Sequence, residues 1–350
     1  MRVTRDGSSR RLAVLLFVND QTFRTILGQN VSVSRAVELE RFDSCQLMRI
    51  DISHKSQVAR AMENQGVRPA HSVRKLAVAL PGSLTKDIPH LREKTARVGT
   101  IARALAIFGV DRVVIYRDEP SAKGWQEAAL IEKILRFQET PQYLRRHLFK
   151  LDPDLQYAGT LPPLRIPSHP DREEPTIGLV RDAIVLSKDG SGSRVEAGFR
   201  QLVSVRGEFR VNQRITVRLS RVGPDLQAEA VDARGLRIYW GFRVQREDAS
   251  LSNIVGRMGQ DLTLSTSREG ADVRVVVADL REKWQASRKP LVLFGSPERG
   301  IEEILSDANS SVDKVADFNL NMVPGQSVET VRTEEALMIS LSVLRLLEKN

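Results

Sequence analysis

The sequence predicts an α/β protein with a small β-barrel inserted into it and an extra α+β segment in front. Three observations carry this. Apolar runs alternate with amphipathic helical stretches from residue 75 to about 150, and the alternation resumes at Asp261. Between them, residues 177 to about 248 have another texture: short β-rich runs separated by Gly and Asp turns. Pro162, Pro163, Pro167, Pro170 and Pro175 mark the passage from one to the other. The expected organisation is an extension of no evident role over residues 1–72, a discontinuous α/β domain over 73–172 and 255–350, and a barrel over 173–254.

Taken in order, Leu12 to Val18 reads as a strand and Ser56 to Gln65 as a helix ended by Gly66. His54 and His71 are far apart and read as surface residues. Leu76–Leu80 is a buried strand closed by Pro81-Gly-Ser83. Leu91 to Phe108 is a helix with Val98, Ile101, Ala102, Leu105 and Phe108 on one stripe and Gly109 as its C-cap. Arg112–Tyr116 is the next strand, Gly124 to Glu139 a second helix, and Thr140 to Phe149 a short basic one. Ile177–Leu186, Gly198–Val205, Arg214–Leu219, Gln227–Val231 and Ile238–Val244 are five short strands, which suit a barrel of the OB type. Strands are then expected at Leu262–Thr266, Pro290–Phe294 and Lys314–Asn321, and helices at Ala271–Trp284, Ile301–Ser306 and Val331–Glu348.

The chain has 350 residues, 41% of them hydrophobic, which is enough for two or three cores. With 28% charged residues it reads as a soluble globular chain, not a membrane or disordered one. The apolar run Leu12–Val18 is shorter than a membrane span. The single cysteine, Cys45, excludes an internal disulfide and a multi-cysteine metal site, so no metal is expected and a reducing cytoplasm is the default. A net charge of +9 favours a polyanionic partner, nucleic acid first. Arginine is the only basic residue between Lys188 and Lys283. Guanidinium groups bind phosphate bidentately, so Arg200, Arg206, Arg214 and Arg218 in the barrel are RNA-binding candidates, with Arg145 and Arg146 in the short basic helix.

Three glycine-bearing strand ends cluster in the last α/β half: Thr266 to Gly270, Gly295-Ser-Pro-Glu-Arg-Gly300, and Asn321-Met-Val-Pro-Gly325. Ligands of open α/β sheets bind beyond the carboxyl ends of strands. None of the three is a dinucleotide fingerprint or a P-loop. The last runs into a helix with a Thr/Glu cap, a shape that leaves backbone amides bare beside a ligand.

Ala79-Leu-Pro-Gly-Ser83, Pro141-Gln-Tyr-Leu-Arg145, Asp154-Leu-Gln-Tyr-Ala-Gly159, Tyr239-Trp-Gly241, Phe294-Gly295 and Pro324-Gly-Gln326 with Arg332-Thr-Glu-Glu-Ala336 occur in that order. Together they resemble a SPOUT (class IV, α/β-knot) RNA methyltransferase, of the archaeal and eukaryotic group with an OB-like insertion described as RNA uridine-N(3) methyltransferases. The resemblance covers residues 75 to 350. It implies a trefoil knot, a rare exception to unknotted connectivity, an obligate homodimer, and S-adenosylmethionine held by the knot loops. On that basis Thr266, Gly295, Glu298, Gly300, Leu320, Asn321, Val323, Gly325, Arg332 and Glu334 are cofactor-pocket candidates. Arg97-x-Gly99-x-x-x-Arg103 resembles an Asn-x-Gly-x-x-x-Arg run of SpoU-type members, whose arginine is catalytic, so Arg103 is the catalytic candidate. Arg97 stands where the family has Asn, which warns against assuming ribose chemistry. RNA, ribosomal more than transfer, is the expected substrate, and a uridine base the expected acceptor. The alternatives are a non-catalytic RNA-binding or ribosome-assembly factor on the same fold, and a ribose 2′-O-methyltransferase.

Overall fold

The computed structural model describes residues 74–170, 174–190 and 192–348, and four short strands before them. Those four form two antiparallel hairpins within the unit Met1–Arg68: β1 (Val3–Arg5) with β2 (Leu12–Val14), and β3 (Leu39–Phe42) with β4 (Cys45–Met48). The expected helix at Ser56–Gln65, and both His54 and His71, lie outside the described residues.

The unit Pro69–Asn350 is built on a six-stranded parallel sheet. It contains β5 (Ala77–Pro81), β6 (Arg112–Tyr116), β12 (Arg243–Glu247), β13 (Leu262–Asp272), β14 (Pro290–Leu293) and β15 (Phe318–Asn321). Their order across the sheet is β12-β6-β5-β14-β13-β15. All five residues of β5 are buried, because a central parallel strand is covered on both faces. Alternation splits them between two cores. Val78 and Leu80 face a layer of helices α1 (Leu91–Ile107), α2 (Ala122–Glu139), α5 (Val273–Ala286) and α8 (Thr333–Leu346). Ala77 and Ala79 face α4 (Leu251–Met258), α6 (Ile301–Ser306) and α7 (Val312–Val315). In α1 the stripe Val98, Ile101, Ala102 and Leu105 is fully buried, each apolar side chain of leucine size contributing about 1.5–3 kcal/mol.

Between β6 and β12 the chain forms α3 (Gln142–Leu148) and a closed barrel. Its strands are β7 (Val180–Asp189), β8 (Gly192–Glu196), β9 (Val203–Val205), β10 (Arg214–Arg221) and β11 (Leu226–Val231). β7 pairs antiparallel with β8 and β10, β8 with β9, and β10 with β11, while β9 and β11 are parallel. Val185, Val195, Val203, Val217 and Leu219 fill the interior.

The barrel therefore differs from the sequence expectation in one strand. Gly192–Glu196 supplies the missing strand, and the expected one over Ile238–Val244 is not part of it. Arg243–Glu247 instead pairs in parallel with Arg112–Tyr116 at the edge of the sheet. Helices α4 and α7 were not expected, and the strand read from Lys314 is confined to Phe318–Asn321.

A buried polar cluster fixes the barrel against α2. Arg214 binds both oxygens of Glu139, at 2.7 and 3.0 Å, and Asp182 at 2.5 Å. Asp182 also accepts from Thr216 Oγ1 and Trp240 Nε1, both at 2.8 Å. Burial pushes the Glu139 carboxyl up to about 7. His169 Nε2 lies 2.7 Å from the Glu139 carbonyl, and burial depresses its pKa to about 4. The signs oppose. A raised carboxyl stabilises the fold below its unfolded pKa of about 4.5, and that stability is lost as pH rises through 7. A depressed imidazole stabilises above its unfolded pKa of about 6.5, and that stability is lost as pH falls through 4. Between pH 4.5 and 6.5 thermal melts of Glu139→Gln are expected to rise with pH relative to the parent, and those of His169→Gln to fall. Parallel profiles would remove both assignments.

Candidate active site

The carboxyl ends of β13, β14 and β15 open onto one pocket of about 490 Å³. Three loops and the first turns of α8 wall it. The β13 wall is a bulge: Thr266 and Ala271 both face Leu320 of β15, and the residues between them loop out. Gly270 makes that bulge possible. A Cβ there would lie 2.7 Å from the Leu320 carbonyl carbon and 2.8 Å from that of Asn319, inside main-chain contact. Asn321 Nδ2 donates to the Arg268 carbonyl at 2.8 Å, and its Oδ1 accepts from Val323 N–H at 3.0 Å, so one side chain ties the first loop to the third.

The middle loop turns tightly after Phe294. Ser296 N–H donates to the Arg299 carbonyl at 2.9 Å, and a Cβ on Gly295 would meet that same oxygen at 2.9 Å. Tyr116 and Thr333 hold the loop from two sides, their hydroxyls donating to the carbonyls of Phe294 (2.8 Å) and Gly295 (3.1 Å). The third loop carries Gly325 at φ +77°, a left-handed conformation that glycine adopts without strain. Gln326 Nε2 then donates to the carbonyls of Val328 and Glu329. Arg332 caps α8, with Glu335 accepting its N–H at 2.9 Å.

The lining divides by chemistry. Phe294, Leu320, Met322, Val323, Val331 and Ala336 are apolar. Glu269, Glu298, Glu302, Glu303 and Glu329 stand against only Arg268 and Arg299. Arg299 is already bound to Glu303 and Asp307, at 2.9 and 2.6 Å. Ser340 Oγ lines the pocket, is fully buried, and has no hydrogen-bond partner among the described residues.

Of the sequence-expected residues, Thr266, Gly295, Glu298, Gly300, Leu320, Asn321 and Val323 line this pocket. Gly325, Arg332 and Glu334 do not: the first two shape the loop and cap the helix, and Glu334 binds Arg97 Nε at 3.2 Å. Arg103 is also outside the lining. Its Nη1 donates to the carbonyls of Pro163 and Leu164, at 3.3 and 2.7 Å, and so anchors the proline-rich linker. Sequence reasoning missed Ser340, although a serine within the buried row Leu337, Leu341 and Leu344 was a readable signal.

The arginines separate in the same way. Arg214 is bound in the buried cluster. Arg145 lies 4.4 Å over the Phe137 ring and donates to the Thr140 carbonyl at 3.0 Å; burial depresses it to about 10. These two hold the fold together. Arg146 is exposed but paired with Glu196 at 3.2 Å. Arg200, Arg206 and Arg218 are exposed.

A family model described as "Putative RNA methyltransferase" matches residues 75–344. The chain belongs to this family of RNA methyltransferases. The region matched holds the whole parallel sheet, the barrel and the pocket. An uncharacterized protein of Haloarcula marismortui is 36% identical over 286 residues, covering 78% of this chain and 99% of its own. A human protein named 28S rRNA (uridine-N(3))-methyltransferase is 34% identical, covering 77% of each chain. The Streptomyces viridochromogenes SpoU methyltransferase AviRb, solved with AdoMet, aligns over 88% of this chain and 68% of its own at 8% identity and a TM-score of 0.30, too low to bear on the fold.

Proposed function

We propose that this family member transfers a methyl group from S-adenosylmethionine to N(3) of a uridine in ribosomal RNA. The pocket carries the reading. A sulfonium and an α-ammonium are both cations, and a rim of five carboxylates against two arginines attracts them while repelling a phosphate. The wall of Phe294, Leu320 and Val323 suits an adenine ring, and the Ser340 hydroxyl is left for a polar ligand atom. S-adenosylmethionine would supply an activated methyl there, so the chain's task is positioning and exclusion of water. Asn321 and Gly295 fix the loops that would shape this pose. The acceptor named for the human relative supports a uridine base. Such a base must leave its stack to expose the ring edge, which fits an open pocket mouth on a basic protein. N(3) must give up its proton before it attacks, and a guanidinium facing the uracil oxygens would favour that anion.

The same reading includes a trefoil knot, an OB-type barrel, a homodimer and a cytoplasmic location. Barrel pairing with parallel β9 and β11 supports the second. Exposed Val275 on α5 and Leu346 on α8 support the third. In a homodimer Arg103 could face the other copy's pocket. Arg103→Ala is then expected to lower kcat at least about 100-fold with unchanged S-adenosylmethionine affinity. Full activity would end its catalytic role.

The deciding test is nucleoside mass spectrometry of ribosomal RNA from a deletion strain. Loss of N(3)-methyluridine is expected. Loss of a ribose-methylated nucleoside would move the reaction to the 2′ oxygen. No calorimetric binding of S-adenosylmethionine would make the chain a non-catalytic RNA-binding factor.

A further inference from the structure

We propose that the groove between the barrel and the β12 edge of the sheet binds a single-stranded stretch of the substrate RNA, away from the reacting nucleotide. The inference rests on the RNA-substrate reading. The groove encloses about 1000 Å³, twice the cofactor pocket, and none of the arginines first considered for RNA opens onto it except Arg214.

Its charge is arranged by depth. Arg214, Glu139 and Asp182 form the floor, where the guanidinium and carboxylates bind one another. The rim holds Lys75, Arg237 and Arg243, all exposed, with Lys75 close enough to the exposed Asp232 carboxylate to help Arg234 hold it below the usual range. Two further acids, Asp111 and Asp232, also line the groove, the latter paired with Arg234 at 3.1 Å; seven basic side chains stand against four acids, so the lining keeps a positive excess. Trp240 and Phe149 also line it, and the Trp240 indole is anchored by its 2.8 Å hydrogen bond to Asp182. Cations that follow a backbone, beside an aromatic held in place, are the features that bind unpaired strands with little sequence preference. An A-form duplex offers phosphates on a convex surface and no free base to stack.

The groove lies at the opposite edge of the sheet from the pocket. β12 is four strands from β13 in the sheet order, a separation of about 19 Å at ~4.8 Å per strand. A nucleotide bound there is not the one methylated in the same chain's pocket. Its contribution is to affinity and orientation, so loss of the rim charges raises KM for RNA and leaves the methyl-donor site intact.

The test uses the full chain and a fluorescein-labelled twelve-nucleotide oligouridylate, titrated at several salt concentrations. A Lys75→Gln/Arg237→Gln/Arg243→Gln variant is expected to reduce the log–log salt slope by about 2, at roughly 0.7 per phosphate, and to weaken binding about 30- to 100-fold near 0.1 M salt. Melting temperature and S-adenosylmethionine affinity should match the parent. Arg237→Lys/Arg243→Lys should keep the slope. An unchanged slope and affinity in the triple variant, with the parent binding RNA, overturns the groove and leaves the methyltransferase reading standing. Equal or tighter binding of a duplex of the same length also overturns it. A parent that binds no RNA overturns both.

Discussion

Gly270→Ala is expected to lower the melting temperature by about 2–12 °C and to abolish S-adenosylmethionine binding. The added methyl would sit 2.7–2.8 Å from three main-chain atoms of Asn319 and Leu320. Those are main-chain atoms of β15, the edge strand hydrogen-bonded to β13, and they cannot turn aside as a side chain would. Relief requires the two strands to separate where Thr266 and Ala271 share Leu320. Overpacking of this kind costs about 1–3 kcal/mol, and each kcal/mol moves the melt of a domain this large by roughly 2–4 °C. Binding suffers more than stability, because the same bulge presents the Arg268 carbonyl to Asn321 and so sets the spacing of two pocket walls. Differential scanning fluorimetry and calorimetric titration check the two effects separately. A protein that melts and binds like the parent would show that the bulge does not shape the pocket.

Removing Arg214 is expected to damage the fold far more than RNA binding. Arg214→Ala leaves Glu139 and Asp182, with side chains 14% and 2% exposed, facing each other without their cation. Breaking a buried pair from one side costs about 3–5 kcal/mol, so a melting temperature lower by about 10 °C is expected. Arg218, four residues along the same strand, is exposed. Arg218→Ala should leave the melt within a degree or two and reduce the salt slope of RNA binding by about 1 if it meets a phosphate. Equal melts for the two variants would contradict the distinction. It is a distinction the sequence could not make. Both arginines lie on the outward face of β10, alternating with buried Ile215, Val217 and Leu219. One is covered by Glu139 at the end of α2 and the other is not, and that cover comes from 75 residues earlier in the chain.

The α/β pattern was legible because its signal is local. Ala77–Pro81 and Arg112–Tyr116 are apolar runs of strand length, and α1 repeats its buried positions at helical spacing. The missed strand, Gly192–Glu196, has no such run: in Gly-Ser-Arg-Val-Glu only Val195 is a core hydrophobe. It is extended because β7 and β9 supply hydrogen-bond partners on both sides. Arg243–Glu247 had local strand character but joined the sheet because β6 offered an open parallel edge.

The site follows the same division. The glycines and asparagine of its three loops were readable, since tight turns after strands restrict residue type. The roles of Arg103 and Glu334 were not, because each depends on a group distant in sequence. The sequence by itself determined the alternation of strand and helix, the basic balance, and the three loops that make a pocket at the strand ends. Only the tertiary structure decided which arginines hold the fold and which meet solvent, and where the barrel leaves a groove. The physical reason is that backbone periodicity is set by neighbours in the chain, while the burial and pairing of a charge are set by whatever the fold brings against it.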